Sequence, residues 1–371
     1  GYLPPWRKAA VWRVGLEQDW GLNPFLLPVD PYLIVDELIL NMIQVWGETA
    51  IGPRSQDILR HVFLAVFQLR KEAQGLLKAQ RLLQSWMTWG KLAKRMPSGP
   101  VRDWFAGTAA SWQENPRLGA EATAPPLNKL GALLFSPAMR SALAPAKTLD
   151  LDRLIEDKCV LIVSLSGGDI GDENAAILGV ILLSSIWQSL RRAGFSNPAI
   201  TSIVLDEAHR FVCPSFAKLL AEGRSFGAQS TVAFQFWAQI RNEEVQGSLR
   251  ELLQNLFIFR TSQMQEALQT SQLLARVYGN LLSPSDEAQD ALNIGPDDLV
   301  NLPNYRAVVR LVDNGNPQPP FLGTTIPLTP VNNRIPWGMC PEEWLRQAAE
   351  EGGEGEGEEA DGETTQEADS W

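Results

Sequence analysis

The sequence predicts an α/β fold in which a parallel sheet is wrapped in helices and an all-helical domain is inserted before most of the strands. From residue 31 to about residue 143, apolar residues recur at i, i+3 and i+4 spacing with few β-branched runs, as in helices. From Cys159 onward, short strand-like runs alternate with helical segments, the order of a parallel sheet covered by helices. A chain of 371 residues, 45% hydrophobic and 20% charged, can bury such a core.

The individual elements follow from the same patterns. The first thirty residues contain one strand-like run at 10–14 and the turn "GLNPFLLP". Helical spacing is clearest at 31–46, 54–86 and 128–143. Beyond Lys158 the predicted strands are 159–165, 203–205, 230–236, 256–260 and 306–312, and the predicted helices are 174–192, 214–227 and 245–255.

The net charge of −11 belongs to one end of the chain. Residues 350–371 hold ten of the 43 acidic residues and no basic one, so the remainder, with its 32 basic residues, is nearly neutral. The overall charge therefore does not exclude a nucleic-acid partner. Beyond Pro336 we expect a short helix and then a disordered tail, because the Glu/Gly composition cannot offset the entropy of ordering.

Three widely spaced cysteines without a CxxC pair indicate neither a disulfide framework nor a zinc site, which favours a reducing cytoplasm. The longest apolar run, 175–187, is shorter than the ~20 residues of a membrane span, and we interpret it as a buried helix.

Two adjacent carboxylates follow a predicted buried strand in "SIVLDEAH". In open α/β sheets ligands bind at the carboxyl ends of the strands, so Asp206 and Glu207 are candidates for a Walker B pair. Asp206 would hold Mg²⁺ through water, and Glu207 would polarise the water that attacks a γ-phosphate. The alternative is a strand that ends in two solvated acids.

"DEAH" is also the signature of the DEAH-box helicases, which should carry a Ser-Ala-Thr motif some thirty residues on and a later QRxGR motif. Neither occurs here. Instead, Gln235 ends the next predicted strand, where a polar side chain can sense a γ-phosphate. Arg224 lies in the helix before that strand and could reach the nucleotide of a neighbouring subunit; alternatively it is a cation at a helix end.

The segments "IVLDEA", "AEGRSFG", "STVAFQF", "LRELLQNLFIFRTS" and "PDDLVNLPNYRAVVRL" follow one another in an order that resembles the carboxyl half of the TraG/TraD type IV coupling proteins, within the HerA/FtsK group of DNA-pumping ATPases. "LNPFLLP" and "CVLIVSLSGGDIGDENAAILGVILL" are similar to the segments that flank the inserted helical domain of those proteins. The resemblance runs from about Gly21 to Leu322 and is strongest after Cys159. It rests on the joint order of the motifs.

This resemblance implies a RecA-like P-loop NTPase sheet with an inserted all-helical domain. Residues 1–30 would be the remnant of the nucleotide-binding domain and 31–145 the helical domain. Residues 146–330 would form the ATPase core with its Walker B acids, and 331–371 the short helix and acidic tail.

The resemblance also implies a hexameric DNA-translocating ATPase that uses ATP and Mg²⁺ and couples DNA to a conjugation or secretion channel. Asp206 matches the residue that binds metal and nucleotide, and Glu207 the catalytic acid. Gln235 matches the sensor glutamine, in nucleotide binding and catalysis, and Arg224 the arginine that acts in trans. Expected partners are DNA, single- or double-stranded, relaxosome and type IV secretion proteins, and further copies of the chain. The expected location is the cytoplasm, at the inner face of the cell membrane if an anchor precedes Gly1.

The sequence departs from the family in one respect: it has no GxxxxGK[ST] loop to hold the phosphates. "GETAIGPRS" has Pro53 in place of the lysine and lies between helical runs, and "SLSGGDIG" follows a strand but has no lysine. We therefore expect the chain to be truncated at its amino end or to be one product of a split gene, and to be inactive alone. The main alternative is a non-catalytic docking module that recognises relaxosome proteins such as TraM, and a DEAH-type helicase is a weaker one.

A basic segment in the helical region is a candidate DNA contact. Eight bases stand against one acid, Glu72, with Trp86 and Trp89 between them; alternatively this is a solvated helical face with core tryptophans. The bases are Arg70, Lys71, Lys78, Arg81, Lys91, Lys94, Arg95 and Arg102. His61 and His209 are isolated in the sequence, and we do not expect them to be ligands.

Overall fold

The computed structural model describes residues 7–14, 20–145, 147–194, 200–240, 242–275 and 294–325. The predicted short helix and acidic tail at 331–371 lie outside these residues.

Helices make up the region between residues 31 and 143. Proline occupies the first turn of several of them, where its missing N–H is not needed. Two of these helices are also capped by a side chain, since Asp30 accepts from the Tyr32 amide and Ser136 from the Met139 amide. The helices are α1 (Pro31–Trp46), α2 (Pro53–Gln68), α3 (Gly75–Gln84), α4 (Trp89–Ala93), α5 (Pro100–Glu114), α6 (Pro116–Leu133) and α7 (Pro137–Leu143).

Aromatic rings form the core of this helical region. Trp89 is fully buried; its ring lies 4.7 Å from that of Phe105 and 5.1 Å from that of Trp112, and its Nε1 donates to the Leu82 carbonyl at 2.9 Å. Trp86 packs edge-on against Trp112 at 5.7 Å. The tryptophans of the basic segment are therefore core residues, and their rings are not available to stack on bases.

Asn23 of the turn "GLNPFLLP" joins the first strands to the helical region. Its Nδ2 donates to the Glu72 carbonyl at 2.8 Å, its Oδ1 accepts from the Phe25 amide, and its own amide donates to Thr148 Oγ1. The side chain is fully buried. Because a buried amide must be hydrogen-bonded, Asn23 fixes where the chain enters and leaves the helical region.

After the helical region, strands and helices alternate as predicted. The helices are α8 (Leu151–Glu156), α9 (Gly167–Ile170), α10 (Asp172–Ala193), α11 (Pro214–Glu222), α12 (Glu243–Leu252), α13 (Met264–Ala275) and α14 (Pro296–Val300). The strands in the described part of the chain are β1 (Ala9–Arg13), β2 (Trp20–Gly21), β3 (Lys147–Thr148), β4 (Val160–Ser164), β5 (Thr201–Leu205), β6 (Ala228–Val232), β7 (Leu256–Ile258), β8 (Arg306–Arg310), β9 (Val312–Asp313), β10 (Asn316–Pro317) and β11 (Phe321–Thr324).

Parallel pairing links strands that are distant in the chain. β1 pairs with β4, β2 with β3, and β5 with β6, each in parallel. Among the described residues β4 and β5 share no ladder, although helix α10 connects them. The last strands differ from the prediction, because β8 pairs antiparallel with both β7 and β11. Between β8 and β11 the chain turns back on itself without a helix, as an antiparallel pair allows.

Helix α10 packs between the two cores of the molecule. Ile177 and Leu178 join the core of the helical region, whereas Val180, Leu183 and Trp187 join the core under β5. By length and composition α10 could cross a membrane, but 72% of its most apolar window is buried inside the protein. This agrees with the predicted buried helix.

Candidate functional site

The candidate site lies at the carboxyl ends of β5 and β6. β5 ends at Leu205, and Asp206 and Glu207 follow at once. The ladder continues past the strands, since the Ala233 amide donates to the Leu205 carbonyl at 2.9 Å and the Ala208 amide to the Ala233 carbonyl at 2.8 Å. These bonds fix the two acids in a turn at the edge of the sheet.

Gln235 does not lie in a strand, contrary to the prediction of a strand at 230–236. β6 pairs residue for residue with β5 and therefore ends at Val232, opposite Leu205. Gln235 lies in the loop that follows. We call residues 235–239 the sensor loop.

The structure brings Gln235 and Glu207 together. Gln235 Nε2 donates to Glu207 Oε1 at 3.0 Å, although the two residues are 28 positions apart. The sensor loop is held by its own side chain, because Gln239 Oε1 accepts from the Gln235 amide at 3.1 Å and from the Phe236 amide at 3.2 Å.

Glu207 has a left-handed backbone, with φ +49° and ψ +45°. This conformation is unfavourable for a glutamate by about 1–3 kcal/mol and persists only where the surroundings impose it. Its amide donates to Asp206 Oδ1 at 3.0 Å. With this backbone conformation the Glu207 carboxylate contacts Gln235. Strained backbone of this kind is concentrated at functional sites.

His209 is a site residue that sequence reasoning missed. His209 lies in a short 3₁₀ turn at 208–210. Its Nδ1 is 3.2 Å from Glu207 Oε2, but the geometry is not that of a hydrogen bond. The signal in the sequence was its position two residues after Glu207, but only the turn brings the ring back to the carboxylate. His209 and Gln235 thus stand on the two oxygens of one carboxylate.

Arg224 lies at the amino ends of these two strands, opposite to the end that carries Glu207. It is exposed in the 3₁₀ turn Gly223–Phe226, just before β6 begins, and its carbonyl accepts from the Gly227 amide. Because β6 spans five residues, Arg224 is about 15 Å or more from Glu207 along the strand. Within one chain it cannot reach the candidate site.

The loop after β4 is closed by an ion pair. Arg210 Nη1 lies 2.9 Å from Asp172 Oδ1, and a Cβ on Gly167 would come within 3.0 Å of the Asp172 Cγ and 3.5 Å of Arg210 Nη1. The glycine is thus needed for packing against an acid. "SLSGGDIG" has no lysine, so it lacks the cation that holds the β- and γ-phosphates in a phosphate loop. "GETAIGPRS" connects α1 to α2 and follows no strand.

Asp206 and Glu207 supply the kind of ligand that Mg²⁺ takes, although no group of three or more His, Cys, Asp or Glu side chains placed for a metal ion occurs among the described residues. Asp206 is exposed and Glu207 half-buried at a strand end, and carboxylate oxygens are the ligands that Mg²⁺ prefers. In the part of the chain that the structure describes, no lysine stands at a glycine-rich turn after a strand to hold a β- or γ-phosphate.

Four cations of the predicted basic segment lie near one another and have no ion pair among the described residues: Lys71, Lys78, Arg81 and Arg95. We call them the basic cluster. Burial lowers the pKa of Lys78, and the charges of Arg81, Lys71 and Arg95 lower it further. Like charges held together without a partner favour binding of an anion.

Solved structures with a similar fold include a bacterial conjugative coupling protein and VirB4. The conjugative coupling protein TrwBdeltaN70, unbound, has a TM-score of 0.57 at 14% identity, over 87% of this chain and 79% of that chain. TrwB in complex with ADP and Mg²⁺ has a TM-score of 0.59 at 13% identity, over the same shares. VirB4 of Thermoanaerobacter pseudethanolicus has a TM-score of 0.51 at 14% identity, over 87% of this chain and 78% of that chain. Neither a protein-family model nor a curated protein matches the sequence.

These likenesses define the class of fold: a P-loop NTPase sheet with a helical insertion, as in TrwB. The predicted fold class is confirmed, and the predicted resemblance to coupling proteins is confirmed for the fold. The division at residues 30, 145 and 330 and the roles of the individual site residues stay predictions.

Proposed function

We propose that the chain is the Walker B part of a coupling ATPase of a conjugation or type IV secretion system. The observation that carries this proposal is the contact between Gln235 and Glu207 at the carboxyl ends of two parallel strands. The fold it belongs to is shared with TrwB and VirB4, and TrwB has been solved with ADP and Mg²⁺ and with a GTP analogue.

Each site residue has a task in this proposal. Asp206 would hold Mg²⁺, which neutralises charge on phosphate oxygens when it is bound. Glu207 accepts a proton from the water that attacks the γ-phosphate, and Gln235 fixes the direction of the Glu207 carboxylate. His209 lies beside the other oxygen of that carboxylate. Arg224 acts on the site of a neighbouring subunit in a homo-hexamer, since it cannot reach the site of its own chain.

The phosphate loop comes, in this proposal, from polypeptide outside the printed sequence. Among the described residues β4 pairs only with β1 and β5 only with β6, which favours this proposal, because a further parallel strand between β4 and β5 would join the two pairs into one sheet. A strand followed by GxxxxGK[ST] and a helix is the segment that fits both the edge and the chemistry. We place the assembled protein at the cytoplasmic face of a membrane channel.

The test is reconstitution with the polypeptide encoded directly upstream. The chain alone is expected to show no ATP hydrolysis above background, and the reconstituted protein is expected to hydrolyse ATP. Glu207→Gln should then keep nucleotide binding and lose about 10²–10⁴-fold in turnover, because a general base contributes that much.

Glu222→Gln is the matched control, since Glu222 is an exposed acid on α11 away from the site. It should leave turnover unchanged. Full turnover by Glu207→Gln would remove Glu207 from the mechanism, and hydrolysis by the chain alone would contradict the external phosphate loop.

The trans role of Arg224 predicts more than proportional inhibition in mixed rings. When Arg224→Ala subunits are mixed with wild-type subunits, ATPase activity should fall below the wild-type fraction, because each altered subunit also disables a neighbouring site. A strictly proportional fall would leave Arg224 as a helix-end cation.

DNA is the proposed polymer substrate, and the basic cluster is its proposed contact. Lys71→Glu with Arg81→Glu should weaken DNA binding at fixed salt and lower the slope of log K against log salt by about 0.9 for each DNA phosphate that the variant no longer neutralises. Arg153→Glu, an exposed charge on α8, is the control. Because the basic cluster would contact phosphates, binding should not depend on base sequence.

A second function, docking without catalysis, is favoured by the closed loop at Gly167 and Asp172. In that case the chain would capture relaxosome proteins, and reconstitution would yield partner binding without ATP hydrolysis.

A further inference from the structure

Glu266 is a buried acid that the proposed reaction does not use. It lies in the first turn of α13 and is 7% exposed. Its Oε2 accepts from the Trp237 amide at 3.0 Å and its Oε1 from the Ala238 amide at 3.1 Å. No salt bridge reaches it within the described residues. Two N–H donors and the first turn of its own helix are what stabilise its charge.

These two bonds attach the sensor loop to α13. Gln235 lies two residues before Trp237 in the sensor loop. The Gln239 side chain already holds this loop by accepting from the Gln235 and Phe236 amides. The far side of the loop is held from α12, where Gln246 Nε2 donates to the Trp237 carbonyl at 2.9 Å and the Arg250 guanidinium lies 5.0 Å from the centre of the Trp237 ring. The direction of the Gln235 side chain therefore depends on α12 and α13.

The other end of α13 is also fixed. Arg310 on β8 is buried; its Nη1 donates to the Leu273 carbonyl at 3.1 Å and its Nη2 to the Leu253 carbonyl at 3.2 Å. Helix α13 is thus attached to the sensor loop at its first turn and to β8 and the end of α12 at its last. A helix held at both ends moves as one body.

We propose that Glu266 is a positioning residue for Gln235. Through its bonds to the sensor loop, Glu266 couples α13 to the contact between Gln235 and Glu207. A displacement of α13 would change the contact on Glu207 without any change in the acids themselves. The catalytic consequence rests on the proposed function, whereas the coupling itself is a property of the described chain.

The coupling is tested on the chain by NMR of ¹⁵N-glutamine-labelled protein. The side-chain amide resonance of Gln235 is assigned by its loss in Gln235→Ala, and Glu207→Ala shows where that resonance lies without its acceptor. In Glu266→Gln the Gln235 resonance should move towards the Glu207→Ala position. In uniformly ¹⁵N-labelled Glu266→Gln, the backbone amides of Trp237 and Ala238 should exchange with solvent about 10-fold faster or more. Glu251→Gln, an exposed acid on α12 that adds one glutamine in the same way, should change neither.

An unmoved Gln235 resonance in folded Glu266→Gln would overturn the proposal, since Glu266 would then only stabilise the loop. If Glu266→Gln does not fold, Glu266→Asp, one methylene shorter, is measured by the same criteria.

Reconstituted protein supplies the catalytic test. Glu266→Gln should lower turnover about 10- to 100-fold with nucleotide Kd unchanged, because a small misplacement of a catalytic contact has effects of that size. Unchanged turnover in an active preparation would contradict the catalytic role of the coupling. Absence of hydrolysis in the wild type would instead refute the proposed function, and the NMR result would then decide the coupling alone.

Discussion

The helical region and the strand region cover their apolar residues in different ways. Between α1 and α7 the large rings lie inside, with Phe63, Trp89 and Phe105 fully buried. On the parallel strands, Val204 of β5 is 71% exposed and Val11 of β1 is 50% exposed. Parallel strands are normally buried on both faces, so these strands have an uncovered face among the described residues, whereas the helical region is closed by its own helices. The candidate site lies at the carboxyl end of β5, one of these strands.

The largest effect expected from this comparison is on stability. Trp89→Ala should lower the free energy of unfolding by about 3–5 kcal/mol, because it leaves a cavity among packed rings and removes the hydrogen bond from Trp89 Nε1 to the Leu82 carbonyl. Val204→Thr, in the middle of β5, should change it by less than ~0.5 kcal/mol. Urea denaturation of the chain measures both. A large loss from Val204→Thr would show that the strand face is covered in solution.

Substitutions at two glycines test side-chain packing in α10, beside the strands, and in α5 of the helical region. A Cβ on Gly179 in α10 would come within 2.6 Å of Phe211 Cε1 and 3.2 Å of Leu165 Cδ1, so Gly179→Ala should destabilise by about 1–3 kcal/mol. Gly107 in α5 has no atom within 4 Å of its added Cβ, and Gly107→Ala should stabilise by about 0.5–1 kcal/mol through helix propensity. Shifts of the urea midpoint in the same direction would contradict the assigned packing at one of the two sites.

The smallest expected effect concerns Lys78. Its pKa is lowered from 10.5 in the folded protein, so at neutral pH the charged form disfavours folding, and this penalty disappears as the pH rises past 10.5, where both states are neutral. Lys78→Met should therefore stabilise the chain at pH 7 by less than ~0.5 kcal/mol, since solvent screens most of the repulsion. The gain should vanish near pH 11. A constant gain across that range would point to packing of the stem instead of charge.

Sequence patterns predicted the helical region well, because periodicity over long segments reports which face of a helix is buried. They predicted β1, β4 and β5 to within two residues at either end, since short runs rich in β-branched residues favour strands over helices. They were wrong about the end of β6, whose length is decided by its partner β5 and not by its own apolar residues. They were also wrong about the direction of β7, which depends on the strand it meets.

Local sequence was enough to predict the class of fold and the place of Asp206 and Glu207 at the end of a strand, because both predictions rest on patterns of residues that are near one another in the chain. Tertiary packing was needed to bring Gln235 onto Glu207, to turn His209 back to it, and to hold the sensor loop through Glu266. These contacts depend on strand register, on a left-handed residue and on helix packing. Such features arise from pairing between distant segments, and local propensity carries no information about them.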